Sequence, residues 1–267
     1  MGAGYRRWSR RLLGDGFADD RLGPLRLGGR LFGNRLLLSC PLSGSPVSGE
    51  FLGGRALCLP ELEAAGSPGD LGLAQGRAFV GKIRANLEFY LRWLSESGQT
   101  TRPRLIELAA DFAPVLERHF PRMLEEIDGV AKGAGMTAEE ILLINARTDI
   151  LAMVEAELAA RKVPACTALA LRGRVDGRQA LALCQNWDWD PALADAPVVL
   201  RLRPSNGPAL VTLVEAGMAG KIGFNEHRLG VCLNFLSHTS DALPGEVGVP
   251  IHCLLRAAMG CADLDEV

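Results

Sequence analysis

The sequence predicts an α+β fold, with helices and strands segregated along the chain. Three observations carry this. From Leu73 to about Arg161, apolar residues recur at three- and four-residue steps. Beyond Pro164 the period falls to two, as where Leu200 and Leu202 alternate with Arg201 and Arg203. The change falls at Val163-Pro164-Ala165-Cys166, so a helix-rich part comes first and a strand-rich part follows.

The bulk numbers suit a soluble globular protein. The chain has 267 residues, 48% apolar and 22% charged, enough for one large domain or two small ones. A net charge of −2 gives no electrostatic reason to expect nucleic acid or an acidic membrane as partner. No apolar run reaches the length that spans a bilayer. Seven cysteines (Cys40, Cys58, Cys166, Cys184, Cys232, Cys253 and Cys261) include no CxxC pair and are odd in number. They suggest reduced thiols in a cytoplasmic protein, with neither a zinc site nor a disulfide framework.

Residues 1–55 stand apart. They hold nine arginines, no lysine and four acids, with no periodicity. A disordered basic leader, or translated sequence upstream of the true start, is expected there. Residues 56–165 form the helix-rich part. Phe79, Ile83, Leu87, Tyr90, Leu91 and Leu94 make one apolar stripe, ended by Ser97-Gly98. A second helix runs from about Leu105 to Arg118, and a third from Met123 to Lys132 with Pro121 in its first turn. Gly133-Ala134-Gly135 breaks it. Thr137-Ala138-Glu139-Glu140 is a capping box opening a fourth helix, with a further helical run to about Arg161.

Residues 166–267 form the strand-rich part. Cys166–Leu171 and Gln179–Trp187 face each other across a turn containing Asp176-Gly177. Strands follow at Val198–Arg203 and Ala209–Glu215, then a pair, Lys221–Phe224 and Leu229–Phe235. Pro250 opens a short helix, and residues 262–267 look like the start of another, with acids in a first turn.

Cys166 is the candidate nucleophile. An unpaired cysteine is most often a buried core residue. Here it sits at the junction of the two parts, follows the small Ala165 and precedes a strand that would hold it rigidly. Attack of its thiol on the Ala165 carbonyl would make a thioester, and water would release a new N-terminus at Cys166. The freed α-amine, with an ordinary pKa of about 8, can then serve as base to its own thiol. A carboxylate must hold the ammonium, and Asp188, between Trp187 and Trp189, is the candidate. An oxyanion donor is also needed. Asn234, a polar amide in the apolar run Val231–Phe235, is placed for it.

Taken together, Pro121–Gly133, Asn145-Ala146-Arg147-Thr148-Asp149, Cys166-Thr167, Gln185-Asn186-Trp187-Asp188, Glu215–Asn225 and Asn234-Phe235-Leu236 stand in an order and spacing that resembles the acyl-CoA:6-aminopenicillanate acyltransferases. These are C45 peptidase-type Ntn hydrolases. The resemblance implies a four-layer αββα sandwich and cleavage between Ala165 and Cys166. It implies Cys166 as nucleophile, Asp188 in the active site and Asn234 at the oxyanion. Arg147, Asn186 and Trp187 take pocket or structural places. It further implies that the two fragments stay associated and act on a small-molecule acyl amide or acyl-CoA. No cofactor or metal is expected, with acyl-CoA at most a co-substrate. Members of the family continue for several more strands and a further active-site arginine, so the sandwich is expected to be incomplete at the C-terminal side.

Two other readings compete. One is a truncated, unprocessed homologue that only binds or assembles with a partner. The other is Cys-His catalysis, for which His119, His227, His238 and His252 are the available bases.

Overall fold

The computed structural model describes residues 28–32, 35–39, 59–154, 166–175, 178–235 and 247–267. Within the leader, β1 (Gly28–Phe32) and β2 (Arg35–Ser39) pair antiparallel, a hairpin where no order was expected. The remainder mixes helices with a five-stranded sheet and a two-stranded ribbon, which fits the α+β expectation.

The first described element of the helix-rich part is a strand. β3 (Glu61–Gly66) runs parallel to β6 (Pro197–Pro204), with Glu61 opposite Val199 and Ala64 opposite Leu202. Its sequence, Glu-Leu-Glu-Ala-Ala-Gly, has no β-branched residue, which is why it did not read as a strand. It crosses from the helix-rich part into the sheet of the strand-rich part.

The long helix expected from Leu73 to Gly98 is two helices. α1 (Pro68–Ala78) starts at Ser67, whose Oγ accepts from the Asp70 amide while Asp70 accepts from the Ser67 amide. Phe79 then leaves helical geometry, and α2 (Val80–Gly98) begins. The apolar period runs through the break, so the pattern alone does not mark it. The second expected helix is likewise divided, into α3 (Arg102–Ala110) and α4 (Ala113–His119), where Pro114 suits a first turn but not a helix interior. α5 (Pro121–Ala134) runs two residues past the expected end at Lys132 and stops at Gly135, the last residue of the expected break, in the left-handed conformation. α6 (Ala138–Val154) follows the expected capping box, in which Thr137 and Glu140 exchange bonds of 3.3 and 3.0 Å. The helical run expected beyond Val154 lies outside the described residues.

α1 and α5 touch backbone to backbone. A Cβ on Gly72 would stand 1.9 Å from the Glu126 carbonyl oxygen, and one on Gly129 would stand 2.4 Å from that of Gly69. Glycine at these positions is what lets the helices meet so closely.

In the strand-rich part, β4 (Thr167–Val175) pairs antiparallel with β5 (Arg178–Asn186). The expected turn at Asp176-Gly177 lies outside the described residues. The five-stranded sheet has the order β3-β6-β7-β8-β9, with β7 at Leu210–Glu215, β8 at Ile222–Asn225 and β9 at Gly230–Val231. β9 is two residues long where a strand to Phe235 was expected. α7 (Ile251–Ala258) follows Pro250. At 262–267 the chain makes turns and not a helix, although the Asp263 side chain accepts from the amides of Asp265 and Glu266 in the manner of a helix N-cap.

The main core lies between the helices and one face of the sheet. Val198, Leu200, Leu202, Leu210 and Val214 pack there with Ile83, Leu87, Ile141 and Ile144. The other sheet face carries a smaller cluster of Val199, Leu213 and Ile222, closed by Trp187 and Cys166. Leu169, Leu171 and Leu181 of the β4–β5 ribbon are about half exposed. No helix among the described residues is long and apolar enough to cross a membrane.

Candidate active site

Cys166 and Trp187 sit at the open end of the ribbon, since the β4–β5 register pairs Thr167 with Asn186. Both side chains rest on the sheet face away from the helices. Cys166 is half-buried, with a free thiol. A cavity of about 50 Å³ opens beside it, lined also by Arg147, Trp187, Trp189, Lys221, Leu233 and His252.

A buried charge cluster forms one wall. Glu215, at the end of β7, receives Arg147 from α6 at 2.7 Å and Lys221 at 3.0 Å, both on Oε1. Its Oε2 accepts from the Tyr90 hydroxyl of α2 at 2.5 Å, and the Trp189 indole N–H donates to the Tyr90 oxygen at 2.9 Å. Arg147 also reaches His252 Nε2 at 2.7 Å. Its guanidinium carbon lies 4.8 Å from the Tyr90 ring centre and 5.0 Å from that of Trp189. Lys221 Nζ stands 3.3 Å above the centre of the Trp187 ring.

This arrangement sets the charges. Burial alone would raise the Glu215 carboxyl, but Arg147 and Lys221 overcome it and hold the group well below the usual carboxylate range. Burial, joined by the positive Arg147, lowers the Lys221 ammonium to about 7 against the pull of Glu215. His252 is pushed well below its ordinary value by burial and by the two cations, so it is neutral. Its Nε2 faces a guanidinium donor and must act as acceptor. Tyr90 is raised by burial and remains a phenol.

The loop carrying Glu215 and Lys221 is fixed by three buried amides from three helices. Gln75 of α1 accepts from the Gly217 amide at 3.0 Å and donates to the Met218 carbonyl at 3.1 Å. Asn86 of α2 donates to the Ala216 carbonyl at 3.0 Å. Asn145 of α6 donates to the Gly217 carbonyl at 3.0 Å and accepts from the Ala219 amide at 2.9 Å. Gly217 itself has φ +97°, with Ile83 and Ile144 close by.

The expected site residues divide. Cys166, Trp187 and Arg147 line one cavity, and Arg147 is at once pocket wall and buried ion-pair partner. Asp188 is half-buried just past β5. Asn186 has a buried Oδ1 with no partner among the described residues. Asn234 is exposed, and its neighbours Leu233 and Phe235, not Asn234 itself, line the cavity. Gln185 ties this segment to β5. It accepts from the Leu233 amide at 2.7 Å, and its Nε2 donates to Asn234 Oδ1 at 3.3 Å. Ala165 and His238 lie outside the described residues. Of the histidines weighed for Cys-His catalysis, His252 shares the cavity with Cys166, but its Nε2 is occupied by Arg147.

Reasoning from the sequence missed Tyr90, Glu215 and Lys221 as members of the site, and weighed His252 only as a base for Cys-His catalysis. One signal was present. Glu215 closes the apolar run Leu210–Val214, and a carboxylate there has to find a cation.

Fold and site together define a mixed helix-and-sheet protein with a thiol set beside a buried ion cluster. Compared with known families, the chain matches no family model. It is 30% identical, over 198 residues, to the acyl-coenzyme A:6-aminopenicillanic-acid-acyltransferase 40 kDa form of Emericella nidulans. The match takes in 73% of this chain and 51% of the fungal protein, so the chain spans about half the length of that curated relative. It is a distant homologue of an acyltransferase.

Proposed function

We propose that this chain is a self-processing N-terminal-cysteine enzyme, an acyltransferase or amidohydrolase of the C45-type Ntn hydrolases, working through an acyl-Cys166 intermediate. The observation that carries the reading is the position of Cys166. It lies at the junction of the two parts, its thiol opening on a cavity walled by Trp187, Lys221 and Arg147. Similarity to a fungal acyltransferase supports the same chemistry.

In this reading the thiol attacks the carbonyl before it, and the peptide becomes a thioester that water opens. The freed amine then takes the thiol proton in each turnover. Asp188 holds the resulting ammonium. The oxyanion is assigned to Asn234, whose Oδ1 is held by Gln185; its side chain is exposed beside the cavity and must turn inward to donate through Nδ2. An acyl amide or thioester is the acyl source, and acyl-CoA is a fitting co-substrate. The fragments remain together after cleavage. β3 from the first pairs with β6 from the second, and Gln75, Asn86 and Asn145 from the first clasp the loop of the second. The four-layer sandwich belongs to the same proposal.

The test is a denaturing gel of the purified protein with N-terminal sequencing of any smaller fragment. A fragment beginning Cys-Thr-Ala-Leu, absent from Cys166→Ala, is the expected result. A single uncut band that persists in the wild type, or cutting that survives Cys166→Ala, overturns the reading.

A further inference from the structure

We propose that Lys221 is the proton shuttle of the first cleavage, in the chain where Cys166 still lacks an amine. This rests on the self-processing reading and addresses a gap in it. An amine base exists only after the bond is cut. Before that, the nitrogen of Cys166 is an amide, which is no base at neutral pH, and the thiol needs another acceptor.

The cavity offers few. Among the described residues, its titratable lining groups are Arg147, Cys166, Lys221 and His252. Arg147 does not give up its proton. Its guanidinium is bound to Glu215, Thr148 and His252. His252 turns Nε2 to that guanidinium at 2.7 Å, so the lone pair on that nitrogen is engaged. Lys221 remains. Glu215 Oε1 at 3.0 Å and the Trp187 ring at 3.3 Å fix its nitrogen, and Trp187 also packs with Cys166. Transfer from the thiol runs directly or through one water, for which the cavity has room.

The groups facing Lys221 explain its readiness. Glu215 favours the ammonium. Burial and Arg147 oppose it and bring it to about 7, and a thiolate at Cys166 would favour it again. His252 faces the same charges as a neutral ring, and Tyr90 stays protonated on Glu215. A neutral amine is therefore present at pH 7 to 8, and it becomes a stable cation once the thiolate forms.

The step balances. The proton leaves Cys166 Sγ for Lys221 Nζ, and the thiolate adds to the carbonyl preceding Cys166. The C–N bond then breaks, and the same proton passes from Lys221 to the departing nitrogen. The products are a thioester on Sγ and a free α-amine. Water later hydrolyses the thioester.

The experiment is cell-free synthesis of the full chain, followed by a time course of cleavage between pH 6 and 9. Wild type, Lys221→Met, Lys221→Arg and Cys166→Ala are compared, with circular dichroism to check folding. The wild-type rate is expected to rise through a midpoint near 7 and level off. Lys221→Met is expected to cleave about 10²-fold more slowly or worse, and Lys221→Arg equally slowly, because arginine keeps the charge but accepts no proton. Wild-type-like cleavage by a Lys221 variant overturns the inference and leaves self-processing intact, as does a wild-type rate flat across this range. A wild type that never cleaves overturns both, and that outcome is read separately from the variants.

Discussion

Arg147 and Lys221 share one oxygen atom, Oε1 of Glu215, at 2.7 and 3.0 Å. With Lys221 protonated, two buried cations meet one buried carboxylate and the cluster carries one positive charge in excess beside the Cys166 cavity; as Lys221 gives up its proton near pH 7, that excess is lost. The cluster therefore joins the stability of the fold to the reactivity of the thiol.

Glu215→Gln removes the carboxylate and leaves the Arg147 guanidinium buried without its counter-charge, while Lys221, already lowered to about 7, sheds its proton. Breaking a buried pair in this way costs about 3–5 kcal/mol, and it should show as a large fall in the urea midpoint at pH 7. The carboxyl is held below its unfolded value, so its contribution is present above about pH 4.3 and lost as pH falls below it. The gap between wild type and variant should narrow at pH 3. A gap that stays constant with pH would assign the effect to packing alone.

Asp149 gives the opposite sign. Burial raises its carboxyl to about 6, against the amide of Ile251 that donates to it. The folded chain thus binds a proton that the unfolded chain has released between about pH 4 and 6, and stability falls as pH rises through that window. Asp149→Asn cannot titrate. Its stability relative to wild type should improve from pH 4 to pH 6.5 and change little above, as read by chemical denaturation at each pH.

Gly72→Ala and Gly81→Ala should move stability in opposite directions. The first puts a methyl 1.9 Å from the Glu126 carbonyl oxygen, so α1 and α5 must part. Overpacking of this kind costs about 1–3 kcal/mol. The second meets nothing within 4 Å on α2, where alanine is better than glycine by about 1 kcal/mol. Thermal unfolding of the two variants separates a glycine needed for close approach from one that is not.

Asn145→Ala should both destabilise the chain and slow cleavage. It strips a buried donor and acceptor from the loop backbone at Gly217 and Ala219, at a cost of about 1–3 kcal/mol. It also frees the segment that carries Lys221. Cleavage as fast as wild type in a folded Asn145→Ala chain would mean that the loop holds its place without the clasp.

What the sequence made legible is what depends on neighbours along the chain. The capping box at Thr137, the helix opened by Pro121, the hairpin partners across residues 176–177 and the alternation from Val198 all rest on local spacing. Cys166, Trp187 and Arg147 were visible because a period change or a motif marks them. Tyr90 and Glu215 lie 125 residues apart and meet only through tertiary packing. No local pattern announces such a pair. Strand β3 escaped for another reason: its residues have little strand preference, and its pairing with β6 supplies what they lack. Asn234 read as an inward amide because its neighbours are apolar, but the ladder ends at Val231 and alternation no longer decides where a side chain points.

The three-amide clasp has a consequence for motion. Turns between strands normally open to solvent without disturbing the rest of a protein, and their amide hydrogens exchange quickly. Here the N–H groups of Gly217 and Ala219 end on Gln75 and Asn145, side chains rooted in separate helices. Releasing them means pulling those helices apart. Their deuterium uptake should be among the slowest in the molecule, matching the middle of α6 and not the rim of a hairpin.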